Sequence, residues 1–213
     1  TYGMNGLSTP AGKSWMVNVI DRARMTTQVT SARAAGADLV NDVTGGTNRK
    51  LLDSVAAAGA GIVLMHVRGT PRSVQRDTAY LDIVAEVVEH LRGRATVAVA
   101  AGVAPDHVWL DPGIGFGKDV AGNLELLRAL PELAALGHPV VIGPSRKSFL
   151  GSLTGDPVEA RLPGTLAALI PALSVPRAVV RVHEAAAARQ FLEVAVPLVG
   201  APPGRPCSSC CAT

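Results

Sequence analysis

Charged and amide side chains follow four short apolar runs of the sequence, and their types suit the binding of an anionic small molecule that is rich in hydrogen-bonding groups. Each run is typical of a strand, so each string falls at the carboxyl end of a strand. In an α/β barrel that end carries the chemistry, so the strings predict one site built from distant segments. The strings are Asn41-Asp42-Val43-Thr44-Gly45-Gly46, Asp111-Pro112-Gly113-Ile114-Gly115-Phe116-Gly117-Lys118, Ser145-Arg146-Lys147-Ser148-Phe149 and Arg181-Val182-His183.

The glycine-rich string from Asp111 to Lys118 is the strongest of the four. A carboxylate ends the strand, and three glycines follow within six positions. Glycine lets the backbone approach a ligand closely, and a helix after the turn can offer free N–H groups to an anion. The string is not a Walker loop, because Lys118 is not followed by Ser or Thr, and it is not a dinucleotide Gly-x-Gly-x-x-Gly motif. On glycine spacing alone, the alternative is an ordinary tight turn with a solvated aspartate.

The other three strings supply cations, amides and hydroxyls. The string at Ser145 places two cations between two hydroxyls, so one cation can reach inward while the other faces solvent or a phosphate. Arg181 and His183 project to one side of an extended segment, and the planar donor fork of arginine suits a diphosphate. Asn41 offers a donor and an acceptor to a heterocycle, while Asp42 can bond to its own loop. The alternatives are a solvated basic turn, a salt-bridged arginine and a structural histidine.

An alternation of predicted strands and helices positions these strings. Consecutive apolar residues favour strands that are covered on both faces, as in a parallel sheet, and right-handed crossovers then place every loop after a strand on one rim. The fold class is therefore α/β. A sixth strand is a candidate at residues 16–20, although Asn18 interrupts it, and Pro171 should kink or shorten the fourth helix. The predicted strands are 37–40, 61–65, 107–110, 139–142 and 178–180, and the helices are 49–58, 80–101, 123–136, 161–173 and 184–196.

Composition restricts the class of protein and its partners. The 213 residues, 48% hydrophobic and 17% charged, favour one compact domain over a disordered chain. The net charge of +3 is not carried by a long Lys/Arg run, so no nucleic-acid partner is expected. No apolar stretch is long enough for a membrane span, and no signal peptide is visible. For His66, at the end of the second predicted strand, a structural role is the favoured interpretation.

Residues 1–200 are predicted to form the single domain, in which residues 1–30 precede the alternation of strands and helices, and residues 201–213 are predicted to form a disordered tail. All three cysteines, Cys207, Cys210 and Cys211, lie in this tail. A metal site or a disulfide is the alternative there. A core without cysteine fits a cytoplasmic protein.

Six strings in this order resemble dihydropteroate synthase. The resemblance covers about three quarters of the chain and implies a TIM barrel. It also implies a reaction in which 6-hydroxymethyl-7,8-dihydropterin diphosphate loses pyrophosphate and 4-aminobenzoate takes its place, giving dihydropteroate for folate synthesis. Mg²⁺ would assist the leaving group, and a homodimer is what the family implies. The six strings are residues 36–46, 64–71, 111–118, 145–150, 161–168 and 181–183.

The resemblance also implies roles for individual residues. Those expected to act in catalysis are Asp111, Lys147, Arg181 and His183. The pterin ring would be bound by Asn41, Asp111 and Lys147, and the diphosphate by Arg181 and His183 with Val182 between them. The aminobenzoate would meet Ser145 through its carboxylate and Phe116 through its ring. Asp21 is a candidate for a further pterin-binding aspartate, although it lies one residue further from Asn41 than is usual.

The chain departs from the family pattern before Asn41. Loops of the Asn-Val-Thr-Pro-Asp-Ser-Phe and Ser-Thr-Arg-Pro types, which supply contacts to Mg²⁺, diphosphate and aminobenzoate, are not found in it. About five to six βα units are expected, so the barrel would be incomplete, with weak pterin binding and little turnover. One alternative is a non-catalytic homologue that keeps a pterin pocket. Another is a methyltetrahydrofolate-using methyltransferase, which has no evident reason to keep the string at Ser145.

Overall fold

The computed structural model describes residues 36–68 and 79–200, positions 29, 31, 33 and 34, and the backbone of residues 4–9 and 12–18. Strands alternate with helices after β2, as an α/β fold requires. The strands are β1 (Met4–Thr9), β2 (Gly12–Asn18), β3 (Ala37–Asp42), β4 (Gly61–Met65), β5 (Val108–Asp111), β6 (Val140–Ile142) and β7 (Ala178–Val180). The helices are α1 (Arg49–Ala57), α2 (Ile83–Ala100), α3 (Val120–Arg128), α4 (Leu130–Ala134), α5 (Ser148–Thr154), α6 (Leu162–Ala167) and α7 (Ala185–Leu198).

The chain divides into two compact units. The first contains residues 1–66, 90–110 and 203–213, and the second contains residues 67–89 and 111–202. The boundary falls within β5, so that Asp111 belongs to the second unit. The expectation of a single domain over residues 1–200 stays a prediction.

The first unit is built on parallel strands. β2 pairs with β3 in parallel, with Asn18 opposite Asn41, and β3 pairs with β4 in parallel, with Asp42 opposite Leu64. All of β4 and all but one residue of β3 are buried, as the consecutive apolar residues predicted. β1 pairs antiparallel with β2, and this strand was not anticipated. The candidate strand at 16–20 is confirmed as β2, which begins earlier and ends at Asn18.

Helix α1 is amphipathic and packs its apolar stripe into the core of the first unit. Leu51, Leu52 and Val55 are buried, at the spacing that places them on one face. Asn48 caps the amino end, because its side chain accepts hydrogen bonds from the backbone N–H groups of Lys50 and Leu51. The helix ends one residue before the predicted limit of 58.

Helix α2 begins three residues after the predicted start at Tyr80. The Oδ1 atom of Asp82 accepts a hydrogen bond from the backbone N–H of Ala85, at 2.9 Å, so Asp82 caps the helix and sets its start. Five apolar residues of α2 recur at helical spacing and are buried, so they lie on one face of the helix. These residues are Ile83, Val87, Leu91, Ala95 and Ala98.

The second unit contains β6 and β7, which pair in parallel from Val140 opposite Ala178 to Ile142 opposite Val180. The single helix predicted over 123–136 is wrong. It is replaced by α3 and α4, because Pro131 in the first turn of α4 has no N–H and cannot continue the helical hydrogen bonds of α3. The predicted helix at 161–173 is divided into α6 and a 3₁₀ turn that holds Pro171 near its start, which confirms the expected interruption.

Asp21, a candidate pterin-binding residue, lies outside the described residues, and so do Cys207, Cys210 and Cys211 of the predicted tail. Among the residues that the structure describes, no helix has the length and apolar character needed to cross a membrane.

Candidate active site

Asp111 ends β5 as a buried carboxylate and is 1% exposed. Its Oδ1 accepts a hydrogen bond from the backbone N–H of Gly113 at 2.7 Å, and its Oδ2 accepts one from Nη2 of Arg181 at 3.2 Å. The two residues lie 70 positions apart, and the structure joins them as an ion pair. Gly143 makes room for this pair, because a Cβ there would lie 2.8 Å from Nη2 of Arg181. The buried carboxylate can accept charge-assisted hydrogen bonds from a polar ring, and the guanidinium beside it can donate them.

Lys147 lies at the end of the loop after β6 and covers the aromatic ring of Phe116. Its Nζ is 3.6 Å from the ring centroid, which is cation–π geometry. Gly115 allows the approach, since a Cβ there would lie 2.8 Å from Cδ of Lys147. Burial lowers the pKa of Lys147 to about 8; the Asp111 carboxylate raises it and Arg181 lowers it. These charges therefore act on one another within the second unit.

Lys118 is a second buried lysine, and the sequence interpretation assigned it no role. It is 6% exposed, and its Nζ donates hydrogen bonds to the backbone oxygens of Gly113 at 3.1 Å and Phe116 at 2.9 Å. Burial lowers the pKa of Lys118 to about 8, Asp111 raises it, and Lys147 lowers it. A lysine that directly follows a glycine-rich turn was the sequence signal that could have pointed to this residue.

Ser145 and His183 form a direct contact between the loops after β6 and β7. Ser145 Oγ lies 2.8 Å from Nδ1 of His183 and also accepts a hydrogen bond from the backbone N–H of His183 at 3.2 Å. Ser145 is buried, whereas His183 is exposed. The resemblance placed these two residues on different substrates, and the structure brings them together. The Ser145 hydroxyl therefore orients the His183 imidazole.

The two cations of the Ser145 string point to different partners. Lys147 contacts Phe116, whereas Arg146 forms an ion pair with Glu184. Arg146 has a positive φ of 57°, a conformation that a side chain other than glycine adopts at a cost. Thr165 supports it, because its Oγ1 accepts a hydrogen bond from the backbone N–H of Arg146 at 3.1 Å. The loop is thus held by contacts of Arg146, the residue directly before Lys147.

Asn41 and Asp42 end β3 in the first unit. Asn41 is 3% exposed. The carboxylate of Asp42 accepts hydrogen bonds from the backbone N–H and hydroxyl of Thr44, at 2.9 and 2.7 Å, and from the backbone N–H of Gly46, at 2.6 Å. The prediction that Asp42 bonds to its own loop is confirmed. Arg94 of α2 holds the same loop, since it donates to the backbone oxygens of Gly45 and Gly46.

The remaining residues singled out in the sequence are His66 and Val182. His66 is buried, and its ring meets that of His90 edge-on at 4.9 Å between centroids, a packing contact that fits the structural role predicted for it. Val182 is half-buried between Arg181 and His183.

Over the described ranges of the chain, no group of three or more His, Cys, Asp or Glu side chains is placed to hold a metal ion.

Comparison with known proteins identifies the family. The family model described as "Pterin binding enzyme" matches residues 14–183. The chain belongs to the pterin-binding enzyme family. The match includes all six strings that carry the resemblance, and it begins before the first of them, at residue 14.

Curated relatives of this chain include dihydropteroate synthases. The protein from Synechocystis is 43% identical over 166 residues, which cover 77% of this chain and 57% of that protein. The "Inactive dihydropteroate synthase 2" of Mycobacterium tuberculosis is 38% identical over 178 residues, covering 81% of this chain and 56% of that protein. The chain therefore spans less than two thirds of the length of the curated relatives it matches.

A solved structure shares the fold. Dihydropteroate synthase from Thermus thermophilus in complex with 4-aminobenzoate has a TM-score of 0.80 and 38% identity, over 89% of this chain and 76% of that one. Another structure of the Thermus protein is in complex with 6HMPPP. The likeness confirms the predicted fold class, an α/β fold of the partial TIM-barrel type.

Proposed function

We propose that the protein to which this chain belongs is a dihydropteroate synthase, which joins 6-hydroxymethyl-7,8-dihydropterin diphosphate to 4-aminobenzoate. One observation carries the proposal: the buried Asp111 carboxylate pairs with Arg181 beside the Lys147 ammonium, at the ends of three different strands. A carboxylate and two cations in one buried place match a substrate with N–H donors at one end and a diphosphate at the other. The Thermus relative has been solved in complexes with 4-aminobenzoate and 6HMPPP, which supports the substrate pair.

The pterin ring is assigned to Asp111 and Lys147. The carboxylate would accept hydrogen bonds from the ring N–H and amino groups, and the Lys147 ammonium would donate to ring acceptors. Asn41, at the end of β3, is proposed to add an amide contact on the resemblance alone. Asp21 is proposed as a further pterin ligand on the resemblance alone.

The diphosphate is assigned to Arg181 and His183. During the reaction the C–O bond to the diphosphate breaks, the methylene carbon becomes electron-deficient, and the arylamine nitrogen forms a C–N bond and loses a proton. Cations that face the leaving pyrophosphate stabilise this developing charge most. The arylamine is itself a nucleophile, so the chain needs no activated Ser or Cys, and holding both substrates together supplies much of the remaining rate.

The aminobenzoate is assigned to Phe116 and Ser145, whereas Val182 is proposed to lie with Arg181 and His183 at the diphosphate. The ring of Phe116 offers an apolar face, and the Ser145 hydroxyl can bond a carboxylate. Ser145 already contacts His183, so the nucleophile and the leaving group would be bound by connected side chains.

Three further parts of the proposal rest on the family. Mg²⁺ is proposed to accompany the diphosphate, although no step above depends on it, and calorimetry with and without MgCl₂ tests it. A homodimer is supported by apolar side chains that are more than half exposed in the second unit, and light scattering tests it. A cytoplasmic location is supported by the absence of cysteine before residue 207. The exposed side chains are Leu81, Leu153, Ile170, Val194, Leu198 and Val199.

A calorimetric titration with the pterin diphosphate tests the proposed site. Asp111→Asn removes a charge-assisted partner, which is worth about 1.5–3 kcal/mol, so the affinity should fall roughly 10- to 100-fold. Asp106→Asn is the matched control, because Asp106 lies five positions earlier and is exposed. Equal effects of the two substitutions, or no binding by the unsubstituted chain, would overturn the proposal.

A non-catalytic pterin-binding protein is the second candidate function. It is favoured by the match to the inactive mycobacterial protein, which is nearly as similar to this chain as the Synechocystis enzyme is. A product assay separates the two. Formation of dihydropteroate supports the enzyme, and pterin binding without any product supports the second candidate.

A further inference from the structure

The turn that follows β5 is intrinsically adaptable. We call residues 113–117 the β5 turn. Its three glycines, Gly113, Gly115 and Gly117, have positive φ angles of 68°, 78° and 61°. Glycine populates this region readily, but it also gives the unfolded or displaced turn many other conformations. Contacts from outside the turn must therefore select its shape.

Lys118 supplies the first of these contacts. Its buried ammonium donates to the backbone oxygens of Gly113 and Phe116, the two residues that are also joined by a backbone hydrogen bond at 3.0 Å. Taking an ammonium out of water is unfavourable unless its protons are bonded, so these carbonyl contacts are strongly preferred over an open arrangement. One side chain thus closes the turn from within.

Asn123 and Tyr80 supply the other contacts. Asn123 is 1% exposed, and its Oδ1 accepts a hydrogen bond from the backbone N–H of Gly115 at 2.6 Å. Its Nδ2 donates to the backbone oxygens of Lys118 at 3.2 Å and Asp119 at 2.7 Å. The Tyr80 hydroxyl donates to the backbone oxygen of Gly117 at 3.1 Å. Three side chains therefore bond to four of the five residues of the β5 turn.

The β5 turn also sets the position of Lys147. The ring of Phe116 lies under the ammonium, and Gly115 faces the aliphatic part of the same side chain so closely that a Cβ would clash with it. We propose that Lys118, Asn123 and Tyr80 are positioning residues that hold the β5 turn in one shape and thereby fix the Lys147 ammonium against Phe116. The functional consequence, a preformed contact to the pterin, rests on the proposed function; the structural part does not.

A ligand-free NMR measurement tests the structural part first. Protons of the Lys147 ε-methylene above the Phe116 ring should show an upfield ring-current shift, which Phe116→Leu abolishes. Lys118→Met should abolish most of the shift and speed amide exchange of Gly115 and Phe116 at least tenfold. Arg128→Met is the matched control, because Arg128 is an exposed cation nearby on α3. An unchanged shift in Lys118→Met overturns the proposal.

A milder variant guards against a protein that fails to fold. Tyr80→Phe removes only the hydroxyl that bonds Gly117, so it should reduce the ring-current shift partly and speed amide exchange within the β5 turn. If Lys118→Met does not fold and Tyr80→Phe leaves both signals unchanged, the proposal is wrong.

A double-mutant cycle on pterin affinity then tests the link to function. When Lys147 is present, Lys118→Met should weaken binding of the pterin diphosphate about tenfold or more. In the Lys147→Met background the same substitution should weaken binding by less than about twofold, because its effect passes through Lys147. Equal losses in both backgrounds would show a general structural effect and overturn the link. Absence of pterin binding in the unsubstituted chain would instead refute the proposed function, while the NMR result would stand separately.

Discussion

Replacing Asp42 by alanine should destabilise the protein far more than replacing its neighbour on the exposed side of β3. The carboxylate of Asp42 is 0% exposed and accepts hydrogen bonds from two donors of Thr44 and from the backbone N–H of Gly46. Thr44 is half-buried, so water can replace its lost partner, but Gly46 is buried. A buried donor left without a partner costs about 1–3 kcal/mol, and the loss of the other two bonds brings the total to about 2–4 kcal/mol.

Asp38→Ala is the matched control for this prediction. Asp38 lies on the same strand, its side chain is 57% exposed, and it pairs with Arg33 at 3.0 Å. Exposed ion pairs are typically worth about 0.2–1 kcal/mol, so this substitution should have a small effect. Urea unfolding followed by circular dichroism and tryptophan fluorescence measures both. A difference of less than about 1 kcal/mol between the variants would refute the assigned role of Asp42, since the two estimates lie at least about 1 kcal/mol apart.

Two other predictions address the second unit. Gly143→Ala places a Cβ 2.8 Å from Nη2 of Arg181, so the guanidinium must move. The affinity for the pterin diphosphate, measured by calorimetry, should therefore fall about tenfold. Gly93→Ala is the control and should leave this affinity unchanged, because a Cβ at Gly93 would lie in open space. Pterin-diphosphate binding should also weaken as the pH rises through about 8, because Lys147 and Lys118 lose their protons there. The free energy of unfolding should rise between pH 8 and 10.5, because over this range the two lysines bind protons more tightly in the unfolded chain than in the folded one. Equal affinity at pH 7 and 9 would contradict the assigned role of the lysines.

The strands of the βα repeat could be predicted because a run of consecutive apolar residues marks each of them in the sequence. The predicted strand at 61–65 is β4, and the one at 178–180 is β7, residue for residue. β1 left no such mark, since Met4–Thr9 mixes polar and apolar residues and pairs antiparallel outside the repeat. Two helix limits were missed for local reasons, a cap at Asp82 and a proline at the start of α4.

The candidate site was predictable in its residue types but not in its pairings. Strand ends indicate which side chains share a rim, so Asp111 and Arg181 could be placed in one site before any contact was known. The bond between Ser145 and His183 depends on the register of β6 and β7, which the strings do not contain. The role of Lys118 was missed because a lysine after glycines resembles a solvated or phosphate-binding group, and only its burial shows that it bonds to the turn.

A crystal structure of this chain with bound 6-hydroxymethyl-7,8-dihydropterin diphosphate is the most direct test of the central claim. The account predicts that the pterin N–H groups bond to the Asp111 carboxylate, that Lys147 donates to the ring, and that Arg181 and His183 hold the diphosphate. A ligand bound elsewhere, with Asp111 still paired only to Arg181 and the Gly113 N–H, would contradict it.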